Sequence, residues 1–151
     1  MQTIEPLLAQ HPFLKGLDPA HLKLLVSCAS NMTYEPGDFI FREGQDADSF
    51  YIVRQGKVVI ETYSPEHGPI VIQTRGDGEI LGWSWLIPPY HWHFDARAEE
   101  RARVIVLDGK CLREKCESDH NLGYELMKRF AVIIAERLEA TRLQLLDIYG
   151  K

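Results

Sequence analysis

The sequence predicts a mainly β fold with helices at both ends, and three observations carry that prediction. Apolar residues recur at helical spacing in residues 1–30 and again from residue 108 onward. Between these ends the period falls towards two, with glycine-bearing turns at the short intervals of an all-β sandwich or barrel. The three tryptophans all crowd into one late stretch of that β region, residues 81–98.

The chain opens with two short helices. Ile4, Leu7 and Leu8 mark one over residues 3–10; Leu22, Leu25, Val26 and Ala29 mark another over 18–29. Asp18 before Pro19 is an N-cap followed by proline at the first helical position, a strong start signal. The connection between them, residues 11–17, is turn-rich, with Phe13 and Leu14 expected to pack inward. From Met32 short strands follow at 32–34, 39–41 and 49–54, each running into a turn at Gly37, Gly44 or Gly56. Residues 50–54 and 57–61, rich in β-branched and aromatic residues on both sides of Gln55-Gly56, are expected to form a hairpin. Residues 69–74 and 102–107 complete the strands. A short helix over 110–118 leads to Asp119, a plausible N-cap for a long helix reaching Ile148. Met127, Phe130, Ile134, Leu138, Thr141, Leu145 and Ile148 fall along it at alternating spacings of three and four, and Leu126, Val132 and Ile133 widen the stripe. A seam this wide suits packing both on the chain's own core and on a partner helix, which predicts a homodimer.

At 151 residues the chain is one domain by length, long enough to bury a core without staples. A net charge of −5, with basic residues interspersed among acids, argues against a nucleic-acid surface. Cys28, Cys111 and Cys116 form an odd set with no close pair, so neither a disulfide framework nor a zinc site is signalled. Cys28 is expected to behave as a buried small hydrophobe, and a reducing compartment fits best. The start has no basic n-region or apolar h-region, and no run approaches the roughly 18 apolar residues of a membrane span. The expected location is cytoplasmic, with no membrane partner.

The stretch around which the rest is organised reads Leu81-Gly82-Trp83-Ser84-Trp85, then Pro88-Pro89-Tyr90-His91-Trp92-His93-Phe94-Asp95-Ala96-Arg97-Ala98. Tryptophan and tyrosine gather where an apolar body is buried while its polar handle finds a partner, as in a pocket wall or an interface. His91 and His93 stand two apart, but a metal site wants further ligands, and three cysteines are too few for a four-thiolate cluster. No nucleophile elbow, Walker loop, His-Glu-x-x-His or Gly-x-Gly-x-x-Gly is present, so no catalytic residue is named.

Pro36-Gly37-Asp38, Phe41-Arg42-Glu43-Gly44, Phe50-Tyr51-Ile52-Val53 with Gly56, and the approach from Gly76-Asp77 to Leu81-Gly82 together resemble the cyclic nucleotide-binding domain family of the catabolite activator and the kinase A regulatory subunits. The resemblance covers roughly residues 12–147. It implies a jelly roll of about eight strands over residues 31–107 as a single domain over 1–151, with helices at 1–30 and 108–151. It also implies a phosphate-binding cassette at 81–98. In the family a short helix after the glycine offers backbone N–H groups to the cyclic phosphate, an arginine neutralises it, and a glutamate accepts from the ribose. Here Trp83 stands in place of the glutamate and Trp85 in place of a small residue. The arginine position falls on Trp92 or His93, depending on where a one-residue gap lies.

The ligand-binding residues expected from the resemblance are therefore Gly82, Trp83, Ser84, Trp85, His93, Arg97 and Thr141. Backbone donors lie near Gly82, aromatic walls at Trp83 and Trp85, an anion contact at His93 or Arg97, and base recognition at Thr141. The last resembles the catabolite activator's adenine-facing threonine. The effector is a cyclic nucleotide or another small aromatic or anionic compound, and the module is regulatory rather than enzymatic. The alternative is a ligand-free scaffold that presents the tryptophan-rich surface and the long helix to a regulated protein partner. Equally, Trp83, Trp85 and Tyr90 could fill the space of a nucleotide themselves, and Thr141 could bond a carbonyl of its own helix.

Overall fold

The computed structural model describes residues 4–149 apart from Trp83 and Ile87. By internal packing the chain forms two compact units, Met1–Glu114 and Lys115–Lys151.

The first unit begins with helices α1 (Ile4–Gln10) and α2 (Pro19–Ser27). Thr3, expected to start the first of them, lies outside the described residues. Asp18 caps α2, its carboxylate accepting from the Ala20 N–H at 2.8 Å. Cys28 is the C-cap of α2, and Ala29, expected as a helical position, is the first residue of a strand. That boundary was beyond periodicity, because a single apolar residue fits either period.

Eight strands follow: β1 (Ala29–Tyr34), β2 (Phe39–Phe41), β3 (Ser49–Gln55), β4 (Val58–Ser64), β5 (Gly68–Arg75), β6 (Ile80–Leu81), β7 (Asp95–Ala98) and β8 (Ala102–Asp108). They form two antiparallel four-stranded sheets, ordered β1-β8-β3-β6 and β2-β7-β4-β5. The mainly β, eight-stranded jelly-roll class is thus the observed one. The expected hairpin is not. β3 and β4 are both strands, but β3 pairs with β8 and β6 while β4 pairs with β5 and β7. Gly56, at φ 117°, passes the chain from one sheet to the other, and a Cβ there would collide with the Arg101 carbonyl. Two β-rich runs about a short turn pattern alike whether they pair with each other or cross between sheets. Partner choice was therefore invisible locally. β6 and β7 also went unforeseen, because their few residues lie within the tryptophan-rich stretch.

Alternation along β3 divides two apolar layers. Tyr51 and Val53 join the interior of the roll, with Phe41, Val58, Ile60, Leu81, Trp92, Ala96, Ala98, Ala102 and Val104. Phe50 points the opposite way and meets Phe13 edge-on, ring centroids 6.1 Å apart. Leu8, Leu14, Leu25, Ile105, Leu107 and Leu112 are also fully buried. His11 ties the α1–α2 connection to the turn before β6, as Nε2 donates to the Gly78 carbonyl at 2.5 Å while Nδ1 accepts from the Phe13 N–H. After β8 comes α3 (Gly109–Ser118), whose first turn is capped by Asp108, the carboxylate accepting from the Lys110 and Cys111 N–H groups.

One finding runs against the expectation for the cysteines. Cys28 and Cys111 are disulfide-bonded, their Cα atoms 5.8 Å apart across 83 residues of sequence, and Cys116 is the free thiol. The β1–β8 ladder pairs Ala29 with Leu107, and the Asp108 N–H donates to the Cys28 carbonyl. Cys28 just before β1 and Cys111 in the first turn after β8 lie beyond the same end of that ladder, a relation carried by strand pairing rather than by sequence spacing.

In the second unit, α4 runs His120–Tyr149. Asp119 accepts from the Leu122 N–H, as its expected capping role requires. Leu122, Leu126 and Phe130 are buried, whereas Met127, Val132, Leu138, Leu145 and Ile148 are exposed.

Candidate functional site

The tryptophan-rich stretch connects the two sheets. β6 ends at Leu81, Gly82 turns the chain at φ 85°, and a single 3₁₀ turn, Ser84–Leu86, follows. The Pro88–Pro89 bond is cis and Tyr90 adopts φ 61°. The returning segment is held to the β2–β3 loop by main-chain bonds. Ala47 N–H donates to the Tyr90 carbonyl at 2.7 Å, Gly44 N–H to the Trp92 carbonyl at 2.9 Å, and Trp92 N–H to the Gln45 carbonyl at 3.0 Å. Asp95 adds a side-chain contact to the same loop, accepting from the Glu43 N–H at 2.7 Å.

This framework delivers Trp92 to the interior of the roll. Its indole is 4% exposed and stacks on Phe41, ring centroids 3.7 Å apart and planes within 9°. Tyr51 lies beside it, and Tyr34 and Phe94 pack against the same cluster. The ring also explains Gly82: a Cβ built there falls 2.5 Å from Trp92 Cη2, so only glycine admits both the turn and the indole. Apolar burial pushes the Tyr51 hydroxyl well above the ordinary tyrosine value, and it pushes Tyr34 up as well; the neighbouring Tyr34, Asp48 and Asp38 add smaller effects.

Within the first unit, the described residues expected to bind a ligand are divided between the two apolar layers and the surface. Gly82 borders Trp92, but Trp85 belongs to the other apolar layer, fully buried and stacked on Phe50 at 5.4 Å. Arg113 donates to the Trp85 carbonyl and rests on the Tyr90 ring. Ser84 is buried at the start of the 3₁₀ turn, and His93 is exposed. Trp83 lies outside the described residues. Arg97 makes a two-pronged ion pair with Glu61, both N–O distances 3.1 Å, with Glu61 6% and Arg97 30% exposed. β4–β7 register sets Glu61 opposite Asp95, so the pair is the diagonal neighbour on that face, while Ile60 and Ala96 fill the interior. This paired state raises the Arg97 pKa further, chiefly through the hydrogen bonds to Glu61. In the other unit, Thr141 is exposed and donates to the Arg137 carbonyl at 2.9 Å, a helix-internal bond.

His91 meets Asp46 at 3.3 Å, both exposed. Among the described residues no three His, Cys, Asp or Glu side chains gather as metal ligands. Trp92, Phe41, Tyr51 and Glu61 are the residues that the selection above omitted. Trp92 carried a signal, since it is one of the two residues, with His93, on which the arginine position falls according to where a one-residue gap lies. Glu61 carried a fainter one, as the single acid closing the run Val58-Val59-Ile60.

Comparison with known proteins places this geometry. The sequence profile of the cyclic nucleotide-binding domain matches residues 31–119, more than half of the chain. The chain belongs to the cyclic nucleotide-binding domain family. A CRP-like cAMP-activated global transcriptional regulator of Mycobacterium tuberculosis is 22% identical over 145 residues, 96% of this chain and 63% of the relative. The chain thus spans less than two thirds of that relative's length. Human cGMP-dependent protein kinase 2 is 35% identical over 75 residues, 49% of this chain and 10% of the kinase. A Geobacter metallireducens structure provisionally assigned as a cyclic nucleotide-binding protein superposes with a TM-score of 0.78 at 28% identity, covering 91% of this chain and 96% of that one. This member of the family has Trp92 inside the roll.

Proposed function

We propose that this chain is an effector-responsive regulatory module, not an enzyme, and that it does not take cAMP or cGMP in the manner implied by the family resemblance. The observation that carries this reading is Trp92, whose indole fills the interior next to Gly82 and stacks on Phe41. A cyclic phosphate is a permanent anion and needs a guanidinium or a set of N–H donors. Arg97 is engaged by Glu61, and Asp95 contributes a carboxylate rather than a cation. An effector that stacks on aromatic rings and meets a phenol hydroxyl suits the surroundings of Trp92, Tyr51 and Tyr34 better than a phosphate does. Such a ligand acts by binding two conformations unequally, and its response passes to a second copy or a regulated protein in the cytoplasm.

The exposed apolar side chains of α4 support the protein-partner part of the reading, a homodimer through this helix. They also favour the scaffold alternative, in which the roll holds no ligand.

The test is a thermal-shift and calorimetric titration with cAMP, cGMP, other nucleotides and aromatic metabolites, because a ligand of the native state alone raises its apparent stability. Millimolar cyclic nucleotide leaves the melting temperature unchanged, and an aromatic compound raises it and quenches Trp92. Saturable cAMP binding sinks the reading. Silence to the whole panel transfers it to the scaffold.

A further inference from the structure

We propose that Cys28–Cys111 is a reversible redox latch on the first turn of α3. The β1–β8 ladder holds six residue pairs in register, and the Asp108 N–H bonds the Cys28 carbonyl at 2.9 Å, so the two cysteines stay adjacent whether or not they are bonded. The 83-residue loop that the disulfide closes restricts the unfolded chain, whereas in the folded chain the β1–β8 ladder already holds the two segments together. The disulfide's action there is local. It joins the C-cap of α2 to the opening turn of α3, and α3 carries the chain from the first compact unit into the second.

The two sulfurs differ in access, since Cys28 is buried and Cys111 is half-buried. A dithiol reductant enters at Cys111. Its thiolate attacks Cys111 Sγ, the Cys28–Cys111 bond breaks, and Cys28 leaves as a thiolate that takes up a proton. The reductant's second thiolate then attacks the mixed disulfide and displaces Cys111 as a thiolate, which is likewise protonated. The protein has gained two electrons and two protons, and the reductant has become a disulfide. A disulfide oxidant reverses each step. Cys116 stands apart from the exchange, because burial, then Glu117 and Asp119, push its thiol up and away from the reactive thiolate.

The experiment uses the full native chain, alkylated without denaturant and read by mass spectrometry, before and after dithiothreitol. The expected result is that Cys111 is protected in the oxidised protein and becomes reactive after reduction, with Cys116 alkylating only slowly in both states and the first state restored by oxidised glutathione. Hydrogen exchange should quicken roughly tenfold over residues 109–114 on reduction while β1 and β8 keep their protection. C28S should leave Cys111 reactive, and C28S and C111S should both show the quickened exchange, regardless of dithiothreitol, whereas C116S should cycle as the parent does. Should either serine variant fail to fold, the reduced parent supplies the same reading. The proposal is overturned by a bond that opens only in denaturant, by a Cys111 thiol that stays reactive in oxidised glutathione, or by unchanged exchange over α3.

Discussion

Trp92 and Gly82 form one steric unit, and the pair has a measurable signature. Trp92→Ala removes a buried, stacked indole and should cost about 3–5 kcal/mol in urea unfolding. Gly82→Ala meets two separate obstacles, a positive φ and the indole itself. It should cost at least about 2 kcal/mol alone but only about 1 kcal/mol in the Trp92→Ala background, where overpacking is relieved. Additive costs in that double-mutant cycle would mean the indole does not lie against Gly82. The Glu61–Arg97 pair is asymmetric in burial, so its two truncations should differ. Arg97→Ala strands a nearly buried carboxylate and should cost about 3 kcal/mol, whereas Glu61→Gln leaves a guanidinium that can turn to water and should cost about half as much. A larger loss for Glu61→Gln would reverse the assignment of which partner depends on the other.

At the scale of an element, α4 is the part whose sequence pattern exceeds its own burial. Phe130 on the predicted seam is buried, yet Leu138 and Ile148 on that seam are 69% and 68% exposed. A helix that carries so wide an apolar stripe suits a partner helix, and the proposed partner is a second copy. Sedimentation velocity should show a dimer at micromolar concentration, and the double change Leu138→Glu with Leu145→Glu should yield a folded monomer. A parent protein that sediments as a monomer would remove the homodimer from the functional reading. Thr141, in the same helix, bonds the Arg137 carbonyl, so Thr141→Ala should alter neither helicity nor oligomeric state.

For the whole molecule, the interior phenols set how the fold responds to alkali. Tyr34 and Tyr51 both have folded pKa values above the ordinary 10.0, mainly because the interior disfavours a phenolate. Below about pH 10 the folded and unfolded states hold the same phenolic protons, and this contribution to stability is fully present. As pH rises further the unfolded chain releases protons that the folded chain retains, so stability falls with pH. Urea midpoints measured between about pH 8 and 11 should be level at first and then decline, and Tyr51→Phe should flatten the decline. A decline unaffected by that substitution would place Tyr51 outside the apolar interior.

Much of the fold was legible because its signals are local. Helical spacing marked α1, α2, α3 and α4, Asp18 and Asp119 announced their caps, and the glycine-punctuated runs located six of the eight strands, with the resemblance supplying the eight-stranded roll. The candidate site was legible as a stretch but not as an arrangement. Ser84, Trp85 and Trp92 are near in sequence, yet the 3₁₀ turn carries Trp85 to the layer of Phe50 and the returning segment carries Trp92 to the layer of Tyr51. By itself the sequence determined the four helices, six of the strands and the glycine turns, since each depends on residues within a few positions of one another, and its combined motifs pointed to the family. Tertiary structure alone decided that β3 and β4 pair with different strands, that Glu61 engages Arg97, and that Cys28 meets Cys111. Each of these joins residues from separate strands or helices. Strand pairing sets such neighbours through backbone hydrogen bonds that any residue but proline can make, and so leaves no mark on side-chain pattern.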